Sequence, residues 1–247
     1  MNPPMIVLFT DFGLTGPYIG QVKAVLHREA PGSAVIDLFA DLPPGRPQPA
    51  AYLLAAYGVW FPPGSVFVAV VDPGVGGSRA AVAVEADGRF YVGPDNGLFE
   101  LVLRRAESFR GRHIEWRPER LSATFHGRDL FAPAAARLAR GNADAGLLRE
   151  GPLGRFPDWP DELPEIVYID GFGNAMTGMR AAALPPRATL AVGGRALPRA
   201  RTFSDVGVGE PFWYENSNGL AELAVNGGRA EKVLDLAIGS PVAVLAQ

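Results

Sequence analysis

The sequence predicts an α/β chain in two parts: an N-terminal α/β domain with a mainly parallel central sheet over residues 1–155, and a smaller C-terminal all-β barrel domain over residues 165–247. Three observations predict it. Strand-like and helix-like segments alternate through the first half, as in a helix-covered parallel sheet. From Glu165 onward the texture changes to short apolar runs separated by turns, as in a small barrel or sandwich. Between the two, Gly151 to Pro164 holds four prolines and two glycines without periodicity, the composition of a linker or crossover.

The apolar run Ile6–Phe9 reads as a buried strand that delivers Asp11 to a loop at its C-terminal end. Pro17 to Glu29 follows as a helix, with Ile19, Val22, Val25 and Leu26 near 3.6-residue spacing and Pro31-Gly32 closing it. Ala34–Phe39 is the second strand, Gln48–Trp60 the second helix, and Val66–Val71 a third strand running into Asp72. In open α/β sheets ligands collect beyond the carboxyl ends of the strands, where both Asp11 and Asp72 fall. After the strand Ala81–Glu85, Asp87-Gly88 signals a hairpin into Phe90–Val92, and Leu130–Arg140 reads as a further helix. In the C-terminal part the β runs are Ile166–Ile169, Ala188–Val192, Pro211–Tyr214, Leu220–Val225 and Val242–Leu245.

Composition narrows the function. Of 247 residues, 48% are hydrophobic and 20% charged, which excludes a disordered chain. Lys and Arg number 23 against 26 Asp and Glu, so neither a nucleic-acid backbone nor an anionic membrane is an expected partner. The chain has no cysteine, which removes thiol catalysis, disulfides and thiolate metal sites. His27, His113 and His126 are too scattered for a zinc ligand set, so neither a metal nor a cofactor is expected. No basic segment precedes the short apolar run Met5–Phe9 and no stretch approaches the ~20 apolar residues of a spanning helix, so the expected location is the cytoplasm.

Several segments carry chemistry-bearing residues, each with a plain alternative. Thr10-Asp11-Phe12-Gly13 is either a strand-to-turn cap or a carboxylate placed to accept two vicinal ribose hydroxyls side by side. Val71-Asp72-Pro73-Gly74-Val75-Gly76-Gly77-Ser78-Arg79 matches neither phosphate-binding glycine fingerprint, and locally reads as a tight hairpin with an Asp–Arg surface pair. Phe125-His126-Gly127-Arg128-Asp129 precedes a helix that Asp129 can cap. Ile169 to Asn174 and Tyr214 to Gly219 read as β-turns, with Phe203 and Phe212 as core.

Taken together and in this order, the segments resemble the S-adenosyl-L-methionine hydroxide adenosyltransferase family, relatives of the fluorinases and chlorinases. The resemblance spans nearly the whole chain and rests on TDFG at 10–13, VDPGVGGSR at 71–79, YVGPDNGL at 91–98, FHGRD at 125–129, GFGN at 171–174 and NSNG at 216–219. It implies a homotrimer whose active sites lie between the N-terminal domain of one subunit and the C-terminal domain of its neighbour. It implies S-adenosyl-L-methionine as substrate, adenosine and L-methionine as products, and no cofactor. Carried over by motif, Asp72, Arg79 and His126 form the set that positions and activates the attacking water, and Asp11 holds the ribose hydroxyls. Asn174 binds the adenine edge, Phe203 stacks on its face, and backbone near Val225 completes the base pocket. Asp170, Tyr214, Ser217 and Glu222 hold the ammonium and carboxylate of the methionine arm.

The related halogenases carry a Tyr at the position of Asp72 and a Tyr-Ser pair at His126-Gly127, and a carboxylate at that place repels a halide and suits water. Relatives often have His at Ala40, and the halogenases an aromatic residue at Gly45, so the pocket wall departs from the pattern there. The alternatives are a chlorinase-like halogenase and a binding module for S-adenosyl-L-methionine or adenosine without turnover.

Overall fold

The structure, a computed structural model, describes residues 4–142 and 146–245. The chain divides into two compact units, Met1–Phe156 and Pro157–Gln247. No helix among the described residues is long and apolar enough to cross a membrane.

The first unit runs β1 (Ile6–Thr10), α1 (Tyr18–Glu29), β2 (Val35–Phe39), α2 (Pro47–Tyr57), β3 (Val66–Val70), β4 (Ala81–Ala86), β5 (Arg89–Pro94), α3 (Glu100–Arg105), β6 (Phe109–Ile114), α4 (Ala132–Ala139) and β7 (Leu148–Glu150). Its strands form one seven-stranded sheet in the order β2-β1-β3-β5-β4-β6-β7. β3 is apolar throughout, β1 is apolar up to Thr10, and both are completely buried, as strands covered on both faces must be. On one face Ile6, Leu8, Val66 and Val68 pack with Val22 and Leu26 of α1 and the alanines of α4. The alternate residues Phe9 and Phe67 point the other way, into an aromatic layer with Phe39, Tyr57 and Tyr91. α2 opens with Pro47 at its first turn and is buried from Pro49 to Ala56, so its lack of a polar face reflects a helix enclosed in the core.

The sheet is mixed rather than mainly parallel. The β2–β1, β1–β3 and β3–β5 pairs are parallel, whereas β5–β4, β4–β6 and β6–β7 are antiparallel. The cause is the Asp87-Gly88 turn. Both residues have positive φ, 46° and 76°, as a two-residue hairpin requires, and β4 is thereby folded back along β5. β6 and β7 then extend the antiparallel edge. The six-residue α3 and the polar β6, with Arg110, Gly111, Arg112 and His113, carry too little periodicity to be read from sequence.

The second unit contains β8 (Leu163–Ile169), β9 (Ala175–Arg180), β10 (Thr189–Val192), β11 (Arg195–Leu197), β12 (Pro211–Glu215), β13 (Leu220–Val225), α5 (Ala230–Val233) and β14 (Ala243–Leu245). Among the described residues these make two antiparallel sheets, β12-β13-β9-β8 and β11-β10-β14, and not the closed barrel expected from sequence. The sheets are joined at isolated bridges, Glu165 to Pro241 and Arg199 to Trp213, flanked by backbone hydrogen bonds such as the Val242 N–H to the Pro164 carbonyl at 2.8 Å and the Trp213 N–H to the Pro198 carbonyl at 3.0 Å. Proline lines both seams, at Pro164 and Pro241 and at Pro198 and Pro211, and a residue without an N–H cannot continue a ladder. The core between them is centred on Trp213, whose indole N–H donates to the Ala188 carbonyl at 2.9 Å.

One buried charge ties the end of the first unit to its helices. Glu100 is 1% exposed and accepts from Arg104 Nε at 2.8 Å, Arg155 Nε at 2.9 Å and the Phe156 N–H at 3.2 Å. Burial raises its pKa, but the two guanidinium groups and the amide outweigh it and bring it down to about 2. We predict that Glu100→Gln lowers unfolding free energy by about 3 kcal/mol, the low end for a broken buried pair because Arg155 reaches solvent. The stability that Glu100 supplies is present at neutral pH and is lost as pH falls from the ordinary carboxylate range toward about 2. Denaturant titrations of both proteins across that range check this; a constant difference would contradict it.

Candidate active site

The parallel pairing of β1 with β3 sets the site. Thr10 lies opposite Val70, so both strands end at the same edge and hand Asp11 and Asp72 to adjacent loops. Asp11 Oδ2 accepts the Gly45 N–H at 2.8 Å. Burial pushes the Asp11 carboxyl above its ordinary value; the Gly45 amide opposes this, and the nearby charge of Asp72 adds to it.

The glycine-rich loop after β3 folds through Val75 N–H to Asp72 O (3.3 Å) and Gly77 N–H to Gly74 O (3.0 Å), which returns Arg79 over Asp72. Gly76 has φ +78°, and a Cβ there would meet the Ala123 carbonyl oxygen at 2.4 Å, so the loop can lie against residues 122–125 only with glycine at this point. Arg79 Nε donates to Asp72 Oδ2 at 2.8 Å, and Nη2 donates to the same oxygen and to His126 Nδ1, the latter at 2.9 Å. Its guanidinium also lies 5.2 Å from the Phe131 ring centroid. Asp72 Oδ1 is buried and accepts no hydrogen bond from the described residues.

His126 enters from a π turn. Gly127–Phe131 is wound with the Ala132 N–H bonded to the Gly127 carbonyl, five residues back, and the regular α4 begins only after it. Two ties hold the turn: Arg128 forks onto Asp129 at 2.6 and 3.0 Å, and Asp129 Oδ2 accepts the Ser122 N–H at 2.9 Å. Burial first, and the positive charge of Arg79 second, lower the His126 pKa below the ordinary imidazole value. An arginine has no lone pair, so Nδ1 must accept from it and the ring proton sits on Nε2. Asp11, Phe12, Asp72, Phe125, His126 and Arg128 line a cavity of about 490 Å³.

The remaining sequence-predicted residues lie in the second unit. Asp170 organises its own loop: Oδ1 accepts the Phe172 and Asn174 N–H groups, each at 2.9 Å, and Oδ2 accepts Asn174 Nδ2 at 3.4 Å. Glu222, 2% exposed, accepts the Tyr214 hydroxyl at 2.5 Å and Asn216 Nδ2 at 2.8 Å; burial raises its pKa against those two bonds. Phe203 packs edge-on to Phe212 at 5.1 Å and to Tyr214 at 5.4 Å. Ser217 Oγ accepts Asn218 Nδ2 at 3.2 Å, and Val225 is buried, its carbonyl accepting the Gly228 N–H at 3.1 Å. The structure thus brings Asp11, Asp72, Arg79 and His126 together in one unit and links Tyr214, Phe203 and Glu222 in the other. Sequence reasoning missed Asn216, whose Oδ1 accepts the Asn218 and Leu220 N–H groups while its amide braces Glu222, and also Phe12 and Phe125. All three lie inside the sequence motifs, Phe12 in TDFG, Phe125 in FHGRD and Asn216 in NSNG, but none carries a local signal that separates it from turn or core. Among the described residues no three His, Cys, Asp or Glu side chains are grouped to hold a metal ion.

Comparison with known proteins gives two matching family models: the SAM hydroxide adenosyltransferase N-terminal domain over residues 6–147 and its C-terminal domain over residues 164–243. The chain is 46% identical to an (R)-S-adenosyl-L-methionine hydrolase of Thermus thermophilus, covering 97% of this chain and 99% of that protein. A protein of the same description from Salinispora arenicola is 40% identical, over 99% of each. A fluorinase of Actinopolyspora mzabensis is 26% identical, over 98% of this chain and 97% of its own. Among solved structures, an uncharacterized conserved protein of Thermotoga maritima superposes with a TM-score of 0.86 at 31% identity, covering 98% of this chain and all of that one.

The lowered pKa of His126 has a direction that can be measured. An unfolded chain takes up the imidazole proton at higher pH than the folded one, so folding gains stability from a neutral His126 above the ordinary histidine value. That gain is lost as pH falls toward the lower folded value. The stability of the parent relative to His126→Gln is predicted to shrink as pH falls through and below the ordinary imidazole range, read by urea unfolding; a difference that grows on acidification would contradict the neutral assignment.

Proposed function

The chain belongs to the SAM hydroxide adenosyltransferase family, and from that premise we propose that it is an enzyme that hydrolyses S-adenosyl-L-methionine to adenosine and L-methionine, by in-line attack of water on the ribose C5′. The observation that carries the chemistry is the distribution of hydrogen-bonding capacity around Arg79: Asp72 Oδ2 and His126 Nδ1 are both occupied by it, which leaves Asp72 Oδ1 as acceptor and His126 Nε2 as donor.

The sulfonium needs no acid, because departure of the neutral thioether discharges a cation. The work falls on the nucleophile. Water is poor at displacement on carbon and must be held in line with the C5′–S bond, about 3 Å from carbon. Asp72 Oδ1 accepts one water proton and turns an oxygen lone pair toward C5′. His126 Nε2–H donates to the same oxygen, and the Arg79 guanidinium fixes the orientation of Asp72. As the O–C5′ bond forms, the C5′–S pair leaves on sulfur and the proton passes to Asp72. Arg79 cannot serve as base, because its guanidinium remains protonated.

In this reading Asp11 holds the ribose hydroxyls, Asn174 the adenine edge and Phe203 its face. Tyr214, Ser217 and Asp170 meet the methionine arm, with Glu222 fixing Tyr214 and Asn216 from beneath. The active assembly is a homotrimer in which the second group of residues serves the Asp72 cavity of a neighbouring chain. Large exposed apolar side chains beside each group support this: Leu14 and Tyr18, 77% and 50% exposed, near the Asp11 loop, and Phe172 and Val208, 80% and 86% exposed, in the C-terminal unit.

Asp72→Ala, Arg79→Ala and His126→Ala are each predicted to cut adenosine release by about 100-fold or more while substrate binding changes far less. In oxygen-18 water the label should appear in the adenosine 5′ hydroxyl. A 5′-halogenated nucleoside in high chloride would contradict hydrolysis, and tight binding without any product would leave only a binding module. Mixing Asp72→Ala with Asn174→Ala subunits under exchange is predicted to restore part of the activity that each lacks alone; no recovery would contradict the shared site.

A further inference from the structure

Position 127 holds glycine for reasons of space. Gly127 lies at the start of the π turn and is not among the positive-φ glycines, so its backbone accepts any residue. A Cβ there, however, would sit 2.6 Å from Phe12 Cζ and 3.0 Å from Phe12 Cε2. The Phe12 ring cannot easily withdraw. The chain on either side of it is pinned, by Asp11 Oδ2 on the Gly45 N–H at 2.8 Å and by the Gly13 N–H on the Ala40 carbonyl at 2.6 Å. The ring also stands edge-on to Phe125 at 5.6 Å, and Phe125 is itself held by Tyr18 at 5.3 Å and by the Arg128 guanidinium at 5.1 Å.

The ring therefore fills the room that a side chain on the turn would need, and the turn carries His126. We propose that Phe12 is a positioning residue for His126: seated in the space left by Gly127, it sets how closely the π turn approaches the Asp72–Arg79 pair and holds Nδ1 within reach of Arg79. This rests on the hydrolytic reading of the site. A Cβ at 127 forces either the ring or the turn to move, and a smaller side chain at 12 makes room for that Cβ.

The test compares the parent full-length chain with Phe12→Leu, Gly127→Ala and the double variant, measuring kcat and KM for adenosine formation and the thermal unfolding midpoint. Gly127→Ala should lower kcat by about 100-fold and Phe12→Leu by about 10-fold, with KM changing by less than about 3-fold. The double variant should return to within about 10-fold of the parent, rather than fall by the product of the two losses. Multiplying losses, or a Gly127→Ala protein as active as the parent, overturn the proposal. Should Gly127→Ala not accumulate as folded protein, the double variant must be at least as active as Phe12→Leu; a further loss of about 10-fold overturns it. A parent chain that forms no adenosine refutes the hydrolytic reading. The steric coupling then stands or falls on whether the four unfolding midpoints are non-additive or additive.

Discussion

One guanidinium holds the site in order. Arg79 has donors and no acceptor, and it spends them on Asp72 Oδ2 and His126 Nδ1. Each partner is thereby left with one defined capacity, an acceptor oxygen on Asp72 and a donor nitrogen on His126. The side chains of Arg79 and Asp72 are only 12% and 4% exposed, so the pair is removed from water at a cost that its own attraction does not reliably recover. Such a pair adds little to stability by itself. In the proposed reaction its value lies in fixing which atom can accept a proton.

The fold exists around that requirement at three places. Parallel pairing of β1 and β3 delivers Asp11 and Asp72 to one edge of the sheet. The loop from Asp72 to Arg79 reverses within eight residues because Gly76 adopts a positive φ and lies against the Ala123 carbonyl. The π turn presents His126 at a point where an ordinary helical start would carry it onward with α4. In the second unit the same logic recurs on a smaller scale, with buried Glu222 spending both oxygens to hold Tyr214 and Asn216.

Much of this was legible in the sequence, and the reasons for the rest are physical. Strands that end in Asp11 and Asp72 are visible because a continuous apolar run followed by an acid and glycine has few other meanings. The Asp87-Gly88 hairpin was equally visible, but its consequence, an antiparallel half to the sheet, depends on which neighbour the hairpin joins. The C-terminal unit reads as closed from the spacing of its β runs, whereas its two sheets join through isolated bridges where prolines at 164, 198, 211 and 241 donate no ladder hydrogen bond, a matter of pairing that linear spacing does not show. The contact between Phe12 and Gly127 joins residues 115 positions apart and has no local signature at all.

In the proposed reaction Arg79 holds His126 as the neutral Nε2–H tautomer, so that of these two groups it is Asp72 that accepts the water proton. Nitrogen-15 chemical shifts of selectively labelled His126 measure this directly. An unprotonated Nδ1 and a protonated Nε2 are expected at neutral pH, persisting below the ordinary imidazole value, with that preference lost in Arg79→Ala. A proton on Nδ1 in the parent, or an imidazolium at neutral pH, would contradict it.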